Sequence, residues 1–312
     1  MPNNRTKAMV QGAIILGIFL ILLVLAFYVP LVNLIAFVFA PLPIAWYSAT
    51  YKRQQAISLS LLAVFASVLV GNISILPIAF VLAVIGFVIG DALRLRKSKV
   101  YLLLSTGLAL LLTLAMLFLV LTRLLNIDVN DEGLKVSRET YEEYIDKSPQ
   151  LMGQEVPKEQ MLQVFDAMQL SVPAAITISV FILAVIIIEV NLPVLKRLQI
   201  PVPKYPPFSE LRLPRAVLWY YLIVLSINLF FPPEIGTTLF VIVLNMSIVL
   251  WVLLTLQGIS FIHYCIDAFS YPRFLKVIAT ILAIPLYSFI ILLGIIDLGF
   301  NLREFIKGKS QK

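Results

Sequence analysis

The chain has 312 residues, of which 61% are hydrophobic and only 13% charged, with a formal net charge of +7. Soluble domains hold roughly 45–50% apolar and about 25% charged residues, so a water-soluble fold of this length could not hide the apolar surface, whereas lipid accepts it. The single cysteine, Cys265, and single histidine, His263, exclude an intrachain disulfide and metal sites built from several Cys or His ligands.

The composition implies an all-α, polytopic bundle of transmembrane helices. A spanning helix needs about 20 apolar residues, at ~1.5 Å each across a ~30 Å core. Nine apolar segments approach that length: Ala8–Val29, Leu31–Tyr51, Gln55–Val70, Ile73–Ile89, Val100–Leu121, Leu170–Val194, Ala216–Phe231, Gly236–Leu256 and Leu275–Phe300. About eight or nine of them are expected to cross. The first run is longer than a signal-peptide core and no small-residue cleavage site follows it, so it reads as a retained helix.

Short breaks separate the first four segments. Pro30 lacks a backbone donor, Lys52 and Arg53 are charged, and Gly71-Asn72 is a turn signal. Asp91–Lys99 then carries four basic residues. The stretch 123–167 is the one water-soluble piece, with ten of the seventeen acidic residues. Within it Ser137 is placed to cap a short helix presenting Tyr141, Tyr144 and Ile145 on one side. Pro157 would open a second, with Met161, Phe165 and Met168 on one face. The stretch is either such a pair of surface helices or a plain acidic connector. The resulting organisation is a six-helix unit at 1–194 containing an acidic extracytoplasmic insertion at about 123–168, then 195–312 as a cytoplasmic basic loop followed by C-terminal membrane helices.

Basic loops face the cytoplasm. The N-terminus with Arg5 and Lys7, and the loops at 51–54, 91–99 and 195–215, therefore belong inside, with the acidic insertion and Phe231-Pro-Pro-Glu234 outside. Lys and Arg in these loops also meet anionic head groups, so the charge points to the lipid bilayer and not to nucleic acid. The reading is a multi-pass protein of a bacterial cytoplasmic membrane with its N-terminus inside. The ninth segment breaks the pattern, because crossing would carry Arg303, Lys307, Lys309 and Lys312 outside. Pro285 in its middle leaves open a broken or re-entrant helix.

Ionisable and amide groups inside a membrane are costly, and each is a candidate for function. Glu189 and Asn191 lie in the sixth segment, where Glu189 either pairs with a basic residue or takes part in gating, docking or ligand contact. Asn228, Asn245 and Gln257 are either interhelical glue or a cavity lining. His263 and Asp267 sit four residues apart past the eighth segment and would share a helix face, as an interfacial pair or a proton-sensing one. Asp297 and Arg303 are six apart, so a regular helix puts them on different sides: either the Gly residues bend the chain, or Asp297 meets a basic residue elsewhere. Ala8/Gly12 and Ala13/Gly17 give the first helix small residues at four-residue spacing, which permits close helix approach.

No Walker-type phosphate loop, Gly-x-Ser-x-Gly, His-Glu-x-x-His or regular Arg row occurs. No enzyme activity, metal or cofactor is expected.

Tyr28-Val-Pro30, Ala40-Pro-Leu-Pro43, the basic cluster after Gly90, Gln257-Gly-Ile-Ser-Phe-Ile-His-Tyr264 and Gly294-Ile-Ile-Asp-Leu-Gly-Phe-Asn-Leu-Arg303 resemble the YybS-like family of bacterial membrane proteins. That family is distantly similar to the substrate-binding S components of energy-coupling-factor transporters and to the cell-shape protein MreD. The resemblance implies that the first six segments form a bundle binding a small molecule without catalysis. It also implies docking on a transmembrane coupling protein driven by an ATPase module, through small residues of the first helix at Ala13 and Gly17. The extra C-terminal segments and the long fifth-to-sixth connection depart from that pattern. The alternative role is a structural or scaffolding protein in envelope growth, division or sporulation.

Overall fold

A computed structural model describes residues 4–123, 136–143, 165, 168–204, 206–300, 302–304 and 306. Among them the regular elements are all helical: α1 Asn4–Tyr28, α2 Asn33–Phe39, α3 Pro41–Thr50, α4 Arg53–Gly71, α5 Leu76–Arg94, α6 Lys99–Arg123, α7 Val172–Arg197, α8 Ala216–Phe230, α9 Thr238–Ala268, α10 Phe274–Leu282 and α11 Tyr287–Phe300. A short helix at 136–143 lies in the insertion, where Tyr141 stacks on Phe165 at 4.8 Å between ring centroids. Tyr144, Ile145, Pro157 and Met161, expected on the faces of the insertion's two helices, lie outside the described residues.

Local chemistry sets the element ends. Ala40 keeps right-handed helical dihedrals between α2 and α3, and Pro41 stands where a helix start has no use for its missing N–H. The two therefore run on as one 18-residue apolar stretch, Asn33–Thr50. Asn72 stops α4 with φ +59°, and its Oδ1 accepts from Ser74 N at 2.9 Å to start the next turn. Among the described residues, seven helices are long and apolar enough to span a membrane, and α8 is a shorter apolar helix.

Two elements differ from the hydropathy reading. The eighth segment does not end at Leu256: α9 continues to Ala268 over 31 residues, about 46 Å at ~1.5 Å per residue. The polar run Gln257, Ser260, His263 looks like an exit into water, yet each of these side chains finds a partner beside the helix. The ninth segment is not one helix. Ala283–Leu286 interrupts it at Pro285, and α10 and α11 meet at 113°.

The chain divides into two compact units, one of residues 1–137 and 179–205, the other of 138–178 and 206–312. In the first, α3 and α5 approach to backbone contact. A Cβ built on Gly90 would stand 2.3 Å from Ala45 O, and one on Gly86 2.6 Å from Pro41 O. Gly86-Phe-Val-Ile-Gly90 thus forms the small-x-x-x-small contact of this unit. Around it, Ile85, Ile89, Leu102, Leu110, Ile187, Ile188 and Leu195 make one apolar core, and Phe19, Leu23, Ile44, Ala63 and Leu82 another. In the second unit α9 and α11 cross at the same kind of contact. A Cβ on Gly258 would meet Ile290 O at 2.1 Å, and one on Gly294 would meet Leu254 O at 2.2 Å.

Candidate functional site: a buried polar network

The densest polar constellation lies in the second unit, on one side of α9. Gln257, Ser260 and Tyr264 recur at helical spacing and share a face. Opposite them runs the segment 206–213, whose Pro206 and Pro207 carry no N–H and precede a 3-10 turn at Phe208–Glu210. Ser260 Oγ hydrogen-bonds Phe208 O and Leu211 O, both at 2.8 Å, and Leu213 N donates to Gln257 Oε1 at 2.9 Å.

The charges enter from α11. Asp297 is fully buried and Arg303 is 6% exposed. Arg303 Nη2 stands 2.8 Å from Asp297 Oδ2, and Arg303 Nη1 donates to Ser209 O at 2.7 Å. Gln257 Nε2 donates to Asp297 Oδ2 at 2.5 Å, and Tyr264 Oη donates to Arg303 O at 3.0 Å. The guanidinium also sits 5.3 Å from the Tyr264 ring centroid. The two groups meet despite their six-residue spacing, because the long Arg303 side chain reaches back to the carboxylate. A buried carboxylate with a bidentate Arg, an amide and a carbonyl ligand set is matched in charge and in hydrogen bonds. Such an arrangement fixes three chain-distant pieces in register.

His263 and Asp267 both contact Lys276 of α10. His263 Nε2 lies 3.1 Å from Lys276 O and 2.9 Å from Thr280 Oγ1, while Asp267 Oδ1 takes Lys276 Nζ at 2.5 Å. Both turn to α10, because α9 runs on past Leu256 and brings that helix against their shared face. Phe208 stands edge-on to the imidazole at 5.3 Å.

The remaining candidates lie elsewhere. Glu189 pairs with Lys99 at 2.8 Å, across α7 and α6. Asn191 is 1% exposed and donates to Val38 O at 2.8 Å and Ile187 O at 2.7 Å, while its Oδ1 is buried without a partner. Asn245 ties α9 to the start of α7: it accepts from Ala174 N and donates to Leu170 O, both at 2.7 Å. Asn228 donates to Val224 O of its own helix and lines a cleft of about 300 Å³ with Tyr221, Ser247 and Trp251. On α1, Gly12 packs against Tyr47, whose hydroxyl donates to Ala8 O at 3.3 Å. Ala13 and Gly17 face the other way: Ala13 is exposed, and a Cβ on Gly17 would meet nothing within 4 Å. Among the described residues no group of three His, Cys, Asp or Glu is arranged to hold a metal.

Sequence reasoning overlooked Ser260, Gly86, Gly90, Gly258 and Gly294. The Gly-x-x-x-Gly spacing at 86 and 90 was a readable signal, while Gly258 and Gly294 are partners only in space.

The sequence matches the family described as "Predicted membrane protein (DUF2232)" over residues 17–298. It is also similar to the Bacillus subtilis (strain 168) protein described as "Uncharacterized protein YybS", with 29% identity over 310 residues, 97% of this chain and 100% of the relative. No solved structure matches.

Proposed function

We propose, from the premise that the chain belongs to the predicted membrane protein family DUF2232, that it is a non-catalytic membrane subunit of transporter type. It binds a small molecule and works with a separate transmembrane coupling protein and ATPase module, as S components do. It sits in the bacterial cytoplasmic membrane with its N-terminus inside. The observation that carries the reading is Asn191. Its carboxamide is held by two donor contacts to Val38 O and Ile187 O, which leave a buried acceptor unmatched inside an apolar core. Buried polar atoms nearly always have partners, and a donor on a polar ligand would supply one here. The outward face of α1 supports the docking half of the reading. Ala13 and Gly17 lie there among exposed Met9, Val10, Ile14 and Ile21, so a partner helix can approach the backbone closely.

Thermal-shift screening of the purified protein against vitamin-like ligands, with co-purification of membrane partners, tests this. A ligand shift lost in Asn191→Leu, and an ATPase-containing complex lost in a Gly17→Phe variant of unchanged stability, are expected. No shift with any such ligand and no ATPase module would end the reading.

One observation favours the scaffolding alternative. The two clefts described in the first unit, of about 300 and 190 Å³, are lined almost wholly by apolar side chains such as Ile14, Ile18, Trp46, Phe80 and Phe87. A deletion strain with altered cell shape and normal solute uptake would favour it over transport.

A further inference from the structure

The last apolar segment is long enough on paper to cross the membrane, but its two ends are tied to adjacent residues. At the entry, Lys276 O and Thr280 Oγ1 of α10 lie 3.1 and 2.9 Å from His263 Nε2. At the exit, Arg303 O accepts from Tyr264 Oη at 3.0 Å. Both anchors stand within the last turns of α9, which ends at Ala268. A segment that crossed would hold its ends about 30 Å apart along the membrane normal, whereas side chains on neighbouring residues cannot reach two depths so far apart. The break fits. Ala283–Leu286 with Pro285 turns the chain by 113°.

We propose that Phe274–Arg303 is a re-entrant hairpin that enters and leaves the membrane on one side, latched shut by the buried Asp297–Arg303 pair. Its exit is fixed to the segment before α8, since Arg303 Nη1 donates to Ser209 O and Arg212 lies 3.9 Å from Glu304. The tail, with Lys307, Lys309 and Lys312, therefore stays on the side of Arg212, Arg215 and Arg273. That side is opposite to Glu234 in the α8–α9 turn. The arrangement removes the conflict with the charge rule that a ninth crossing creates. The proposal is independent of the transporter reading.

Single-cysteine variants of the full chain in a Cys265→Ser background test it, labelled with a membrane-impermeant maleimide before and after permeabilisation of right-side-out vesicles. Pro206→Cys and Glu234→Cys mark the two sides, and Ser310→Cys reports the tail. Ser310→Cys is expected to share the labelling pattern of Pro206→Cys. A Ser310→Cys pattern matching Glu234→Cys overturns the hairpin.

Discussion

Substituting Gly90 by alanine adds one methyl where the first unit has no room for it. The new carbon would lie 2.3 Å from Ala45 O and 2.5 Å from Ser48 Cβ. Carbon contacts settle at about 3.5–4.0 Å, so α3 and α5 must separate by about 1 Å or more. Neither obstacle yields cheaply, since one is backbone and the other a Cβ fixed to it. Overpacking of this kind costs about 1–3 kcal/mol, set against a gain of roughly 0.5–1 kcal/mol for replacing a helical glycine. Gly17→Ala is the matched control, because its Cβ meets nothing within 4 Å and only the helix gain remains. Thermal unfolding in detergent micelles, followed by far-ultraviolet circular dichroism, should place Gly90→Ala below the parent and Gly17→Ala at or above it. Equal stability of the two variants would refute the backbone contact between α3 and α5.

Asn245→Leu removes the bonds to Ala174 N and Leu170 O. A loss of ~0.5–2 kcal/mol is expected, read as a lower midpoint in the same unfolding assay, and an unchanged midpoint would show that this amide does not tie α7 to α9. Arg303→Ala strands the Asp297 carboxylate in a buried setting, at a cost of about 3–5 kcal/mol. The double variant Asp297→Leu with Arg303→Met should recover most of that loss, and a double variant less stable than the single one would contradict the reasoning.

The membrane class and most helices were legible because a run of about 20 apolar residues has few alternatives in lipid. Legibility failed where polarity inside a helix was mistaken for its end. Gln257, Ser260 and His263 carry the hydropathy signal of a segment leaving the membrane, yet α9 continues because 206–213, α10 and α11 supply their partners. Those partners lie 13 to 52 residues away in the chain, beyond any periodicity. For the same reason, spacing alone could suggest His263 with Asp267 but could not decide whether Asp297 meets Arg303 or another basic residue. For His263 and Asp267, spacing could not name Lys276 of α10, which contacts both. For Asp297, it took no account of the reach of the Arg303 side chain. Glu189 was legible only in kind: a basic partner was expected, and Lys99, 90 residues earlier, could not be named.

The two units hold themselves together by different means. In the first, the charged pairs Arg53–Asp91 and Lys99–Glu189 leave one side chain substantially exposed, Arg53 at 63% and Glu189 at 45%, so each contributes little, and Arg94–Asp91 is a local pair three residues apart on α5. Shape decides there, through glycine contacts and aliphatic filling. In the second, the Asp297–Arg303 pair is dry, and a dry pair is weak evidence of net stability but strong evidence of registry, since a misplaced partner leaves an unmatched charge. The network joins 208–213, 257–264 and 297–303, so no one of these pieces can settle without the other two. Without it, α11 would have apolar surface and one glycine crossing to guide it, while α10 keeps its contacts to His263 and Asp267, and lipid offers no hydrophobic force to prefer one helix packing over another. The polar latch is therefore what selects the folded-back path of the last segment over a straight one, and Arg303 is placed at the point where that choice is made.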